Sequence, residues 1–248
     1  MNLLVDIGNT RIKWKIASGE FEGETNSVEY QRGTLIARLD KALSLDCPGF
    51  SNVYISNVAG EQIESLVFQW FVDNFGIIPQ FALSLRQKCG LISAYKQPEQ
   101  LGVDRFLAMI AACELHESPL VVVDCGTATT IDSINAQQEF IGGVILPGLG
   151  LMRCALSDGA EALPLVQQAE IIDVFSTDTG SAILSGTILA TTMVIDNAVH
   201  TLAKLTGSEV KCIVTGGYGE TICTYLQTPA EYYPDLVLNG LSAYFQAQ

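Results

Sequence analysis

The chain has 248 residues, 48% of them hydrophobic, enough to bury a sizeable core as one large domain or as two lobes. Its 27 acidic and 13 basic side chains give a formal charge of −14, which repels polyphosphate backbones and anionic membranes and argues against general nucleic-acid binding. An anionic ligand is still held where clustered backbone N–H groups, a basic side chain or a cation override the general field.

The N-terminus has neither a basic head nor a cleavable apolar stretch, and no run is expected to approach the roughly 20 apolar residues of a membrane helix. The seven cysteines, at 47, 89, 113, 125, 154, 212 and 223, form no CxxC pair. They read as small buried hydrophobes in a reducing compartment. The expectation is a soluble cytoplasmic protein that touches neither membrane nor nucleic acid.

The first predicted strand, Leu3-Leu4-Val5, ends in Asp6-Ile7-Gly8-Asn9-Thr10, where Asp and Gly let the backbone turn. Residues 11–17 then alternate Ile12, Trp14 and Ile16 with Arg11, Lys13 and Lys15, the period-two pattern of a half-buried strand, and Ser18-Gly19 supplies a turn. Helices are predicted over 35–43, 62–75 and 105–116, with a short strand over 53–57. Glu117-Ser118-Pro119 breaks the third helix. The opening unit then returns, displaced by 118 residues, as Val121-Val122-Val123-Asp124-Cys125-Gly126-Thr127-Ala128-Thr129. Its hairpin runs over 130–134, through Asn135-Ala136-Gln137-Gln138, into Phe140-Ile141-Gly142-Gly143-Val144. A long helix over about 180–205 places Ile183, Leu184, Ile188, Ile195, Val199 and Leu202 near one face, and a strand over 211–215 follows.

Strands alternating with helices and a duplicated opening unit predict an α/β protein of two similar lobes, 1–117 and 118–248, with a ligand cleft between them. In each copy, Gly, Asn and Thr after the Asp offer backbone N–H and hydroxyl donors to phosphate. The carboxylates of Asp6 and Asp124 repel phosphate, so each implies an intervening Mg²⁺, monovalent cation or water. A single Asp-x-Gly is an ordinary turn after a strand. Two copies in equivalent hairpins favour a phosphate site.

The paired turns resemble the phosphate motifs of the acetate and sugar kinase, Hsp70 and actin superfamily. Asp6-Ile7-Gly8-Asn9-Thr10, Gly102-Val103-Asp104-Arg105, Asp124-Cys125-Gly126-Thr127-Ala128-Thr129, Gly142-Gly143-Val144-Ile145-Leu146-Pro147-Gly148 and Asp178-Thr179-Gly180 with Ser185-Gly186 resemble, in this order, type III pantothenate kinase. Two departures accompany the match: Lys15 stands where many members carry Gly, and Ser176-Thr177-Asp178-Thr179 lacks the common Asn before its Thr.

The resemblance implies an actin-like ATPase (ribonuclease H-like) fold and transfer of the ATP γ-phosphoryl group to pantothenate, the first step of coenzyme A biosynthesis. It implies ATP held by Asp6, Ile7, Gly8, Asn9, Thr10, Arg11, Ile12, Lys13 and Thr127. Pantothenate would meet Tyr95, Gly102, Val103, Asp104, Arg105 and Thr179, with Asp104 as base. Mg²⁺ would accompany ATP, Asp124 would help hold K⁺ or NH₄⁺, and the protein would be a homodimer.

Chemistry agrees, since a primary alcohol attacking phosphorus must lose a proton that a carboxylate can accept, and an Arg fork suits the substrate's carboxylate. Taken singly, each residue has a plainer reading. Asp104 and Arg105 also fit an N-terminal helix carboxylate beside a surface Arg. Tyr95 fits a core aromatic, Thr179 a helix cap and Lys13 an exposed strand residue, and Gly216-Gly217, which resembles the superfamily's adenosine-contact glycines, also fits a simple turn. His116 and His200 have no metal-ligand spacing. The competing functions are a non-catalytic regulator of the same fold and a kinase for another small metabolite.

Overall fold

A computed structural model of the protein describes residues 1–18, 21–43, 49–167 and 172–247. Gly19 of the expected turn and Cys47 lie outside them. In chain order the elements are β1 (Asn2–Ile7), β2 (Arg11–Ser18), β3 (Phe21–Glu22), β4 (Asn26–Glu29), α1 (Leu35–Ala42), β5 (Asn52–Asn57), α2 (Glu61–Phe75), β6 (Gln80–Phe81), β7 (Gln87–Lys88) and β8 (Leu91–Ser93). There follow α3 (Val103–Leu115), β9 (Leu120–Cys125), β10 (Ala128–Ile134), β11 (Glu139–Pro147), α4 (Leu149–Gly159), α5 (Thr179–Thr206), β12 (Lys211–Thr215), α6 (Gly219–Cys223), β13 (Ala230–Tyr232) and α7 (Leu236–Gln246).

The chain forms two compact units, one comprising 1–90, 95–111 and 235–248, the other 91–94 and 112–234. The chain passes between units within α3 and returns to the first at its C-terminus, a return that a boundary near residue 117 does not contain.

The first unit is built on a sheet ordered β3-β2-β1-β5-β6, with β4 also on β2. Central β1 pairs antiparallel with β2 and parallel with β5. Alternation along these strands sends Leu3, Val5, Ile7, Ile12, Val53 and Ile55 to one face, where Leu35 and Leu39 of α1 and Ile63, Val67 and Phe71 of α2 complete a core. Trp14 and Ile16 pack at its margin. The other face differs from the expected half-buried strand, because Lys15 is 1% exposed and bonded to α7. β2 is therefore covered on both faces at that rung.

The second unit repeats the plan. Strand β9 pairs antiparallel with β10 and parallel with β12, within the order β13-β12-β9-β10-β11-β8. Val121, Val123 and Cys125 meet Leu184, Ile188, Ile195, Val199 and Leu202 of α5. The six apolar α5 residues anticipated on one face are all buried.

Contrary to the expectation that no run approaches membrane-helix length, α5, at 28 residues, is long and apolar enough to cross a membrane. Threonines interrupt its apolar run. Buried Thr187 and Thr191 turn their hydroxyls back to the carbonyls of Leu184 and Thr187 at 2.9 Å, so they enter the interior without losing hydrogen bonds. Half of the apolar stretch is buried, where α5 packs against β9, β10 and α4.

Candidate active site

In the first unit the β1–β2 register sets Asp6 opposite Lys13, and the parallel register sets Asp6 beside Ser56 at the end of β5. Between the strands, Gly8 N–H donates to Arg11 O at 3.0 Å, and the Tyr30 hydroxyl donates to Gly8 O at 2.6 Å. The turn is thereby fixed with Asn9 and Thr10 exposed. Ile7 and Ile12 point into the core, so they can reach a nucleotide only through their backbones. The Arg11 guanidinium is engaged with its cross-strand neighbour Glu29 at 2.6 Å.

Asp6 is the most perturbed group of this hairpin. Burial, followed by the charge of Asp104, pushes its carboxyl from the ordinary 3.8 up to about 6, against the opposing pull of Ser56 and Lys13. Its Oδ1 is buried and makes no hydrogen bond. An orphan carboxylate oxygen at a strand end fits a hydrated divalent cation, whose charge would reverse the pKa shift.

Asp104 lies in the first turn of α3, which begins at Val103, two residues before the expected start at 105. Its carboxyl is also raised, mainly by burial, while the backbone N–H and the charge of Arg105 oppose the rise. That N–H donates to Asp104 Oδ1 at 2.7 Å. Desolvation outweighs the favourable helix N-terminus. Arg105 is not a surface residue: it is 7% exposed, and its Nη1 donates to the Tyr95 hydroxyl at 3.2 Å with the guanidinium 6.0 Å from that ring's centroid. The structure thus gathers Asp6, Lys13, Tyr95, Gly102, Val103, Asp104 and Arg105 in one unit.

A cavity of about 610 Å³ borders this group, walled by Asn57, Val58, Phe81, Leu101, Gly102 and Val103. A Cβ on Gly102 would lie 2.7 Å from Asp104 Oδ1. The cavity wall therefore adjoins the carboxylate.

Asp124, Thr127 and Thr179 belong to the second unit. Asp124 closes β9 in register with Thr215, as Asp6 is with Ser56. Gly216 follows at φ +90, and a Cβ there would stand 2.4 Å from Asp124 Oδ1. Glycine at 216 is therefore needed by the carboxylate itself, more than the plain-turn reading required. Exposed Thr127 is held through its carbonyl, which accepts from Gly148 N–H at 3.0 Å. Thr179 opens α5, but the cap is Asp178, which accepts from Ser181 N–H at 2.9 Å and whose carboxyl is lowered by that bond. Thr179 instead lines a largely apolar cavity of about 960 Å³ between α4 and α5.

His116 Nε2 meets the Tyr233 hydroxyl at 3.1 Å, and His200 Nδ1 meets Asp196 O at 2.7 Å. Among the described residues no group of three or more His, Cys, Asp or Glu could hold a metal. Two neighbours of the site escaped the sequence reading. Ser56 was detectable, since its strand ends level with Asp6. Asn239 of α7 had no local signature.

Solved structures share the fold. A Campylobacter jejuni protein described as a conserved Baf family transcriptional activator superposes with a TM-score of 0.65 at 24% identity, covering 98% of this chain and 97% of that one. A Listeria monocytogenes protein described as an N-acetylmannosamine kinase superposes with a TM-score of 0.56 at 14% identity, covering 99% and 98%. The class is the actin-like ATPase fold shared by sugar and acetate kinases.

Sequence narrows it further. Residues 2–201 match the family model of type III pantothenate kinases. A type III pantothenate kinase of Janthinobacterium sp. (strain Marseille) is 38% identical over 250 residues, covering 97% of this chain and 96% of the relative. The chain belongs to the type III pantothenate kinase family.

Proposed function

We propose that the protein transfers the γ-phosphoryl group of ATP to the primary hydroxyl of pantothenate, yielding 4'-phosphopantothenate and ADP at the first step of coenzyme A biosynthesis. The observation that carries the reading is the Asp104 carboxyl, raised above its ordinary value mainly by desolvation, beside the buried Arg105 and its half-buried partner Tyr95, in a chain of this family.

The attacking hydroxyl gives its proton to Asp104 as its oxygen bonds to the γ-phosphorus and the bond to ADP breaks. Arg105, oriented by Tyr95, receives the pantothenate carboxylate. The residues from Asp6 to Lys13 hold the phosphates. Asp6 would hold hydrated Mg²⁺, which would neutralise phosphate charge. Asp124 binds a monovalent cation, K⁺ or NH₄⁺. ATP adds negative charge to a protein that is already at −14, and a bound cation offsets the Asp124 carboxylate.

An acceptor screen with purified protein, ATP and Mg²⁺ tests the reaction. ADP release is expected with pantothenate and not with acetate or sugars, and release independent of pantothenate excludes the assignment. In the same assay, buffered with a bulky organic cation at constant ionic strength, KCl is expected to raise the rate saturably, with the rise blunted in Asp124→Ala. A rate indifferent to both K⁺ and NH₄⁺ rejects the ion site.

The cavity between α4 and α5, with exposed Leu151, Leu156 and Ile145 on the same unit, supports a two-fold homodimer. Light scattering at micromolar concentration should return the mass of two 26.7 kDa chains. A fully active monomer refutes the dimer. We place the protein in the reducing cytoplasm, which suits buried thiols such as Cys125 and Cys212.

A further inference from the structure

Lys15 is a charged residue where the sheet needs none. In the β1–β2 and β1–β5 registers, Asp6 aligns with Lys13 and Ser56, and Leu4 aligns with Lys15 and Tyr54. Residues opposite one another across paired strands share a face, so these are two successive rungs of one face, about 7 Å apart.

Helix α7 covers the second rung. Lys15 Nζ donates to Asn239 Oδ1 at 2.6 Å, and the Tyr54 ring stacks on Phe245 with centroids 4.1 Å apart and planes at 11°. The residue after Asn239 is Gly240, where a Cβ would stand 1.9 Å from Leu107 O of α3. Only glycine lets these two helix backbones approach so closely. Two consecutive residues of α7 therefore touch the strand that carries Lys13 and the helix that carries Asp104.

Packing alone does not explain Lys15. A buried ammonium is strongly desolvated, whereas a methionine of similar length fills the same space without that penalty. We propose that Lys15, held by Asn239, is a positioning residue: the pair locks β2 to α7, and through Gly240 to α3, so that Lys13 and Asp6 stand in fixed register with Asp104. The proposal rests on the reading of the Asp6–Lys13 hairpin as the nucleotide site.

The test is the double variant Lys15→Met with Asn239→Leu, since an apolar pair replacing a buried polar one often preserves or raises stability. The expected result is a urea midpoint at or above that of the wild type, with a non-hydrolysable ATP analogue plus Mg²⁺ bound roughly tenfold more weakly by calorimetry. The KM for ATP should rise in parallel, and the KM for the acceptor alcohol should stay unchanged. Asn239→Asp, which keeps an acceptor for the ammonium, is expected to bind the analogue within about twofold of the wild type. A stable double variant with wild-type nucleotide binding overturns the proposal. Should the double variant fail to fold, Asn239→Ala decides by the same calorimetry, tenfold weakening supporting the proposal and unchanged binding overturning it. Failure of the wild type itself to bind the analogue counts against the nucleotide-site reading instead.

Discussion

Asp104→Asn is expected to keep the fold and substrate binding while lowering turnover by roughly 10²-fold or more, the usual scale for losing a general base. The amide is nearly isosteric, and its oxygen can still accept from the Arg105 N–H that now meets Asp104 Oδ1 at 2.7 Å. It cannot take a proton from the attacking alcohol. The pH profile supplies a second readout. Burial raises the Asp104 carboxyl above the ordinary 3.8, so wild-type kcat/KM should fall on acidification at a pH above that value as the base becomes protonated. In the variant that limb should disappear from the residual rate. Calorimetry with pantothenate separates binding from turnover, and near-normal kcat in Asp104→Asn removes this residue from the base role.

The fold was legible where the pattern repeats. Asp6 and Asp124 each close an apolar strand that heads a hairpin, and both observed strands pair with an antiparallel return and a parallel neighbour, as duplication implied. The long helix was legible from its apolar face, although its threonines concealed how apolar it is as a whole. Helices α4 and α7 were not anticipated. The role of α7 is set by contacts more than two hundred residues away in sequence, such as Lys15 with Asn239, which no local periodicity encodes.

The same limit affected the site. Arg105 looked like either a ligand-binding or a surface residue, and its burial against Tyr95 follows from how the 95–105 segment folds back, not from residue spacing. Thr179 was read as either a contact or a cap, and the preceding Asp178 proved to be the cap. The alternation that placed Lys15 with the solvent-facing residues assumed one wet face, which α7 covers.

Asp6→Asn is expected to abolish nearly all activity and yet stabilise the nucleotide-free protein. The activity loss, about 10²-fold or more, follows from removing the charge that would hold the metal accompanying the phosphates. The stability gain follows from the raised carboxyl. A folded-state pKa of about 6 against the ordinary 3.8 means that the folded protein prefers Asp6 protonated. Its contribution to stability is therefore fully present below pH 3.8 and lost as pH rises through about 6. Above that range the ionised, buried carboxylate costs on the order of 3 kcal/mol, an upper figure that solvent penetration would reduce. Asparagine copies the neutral acid and does not ionise, so urea unfolding should find the variant more stable than the wild type at pH 7 to 8. The difference should shrink through pH 6 and close near pH 4. Mg²⁺–ATP should reverse the order, because a cation at the orphan Oδ1 stabilises the ionised wild-type carboxylate and has no charge to meet in the variant. A variant less stable than the wild type at pH 7 without nucleotide would show that the folded protein already compensates the Asp6 charge.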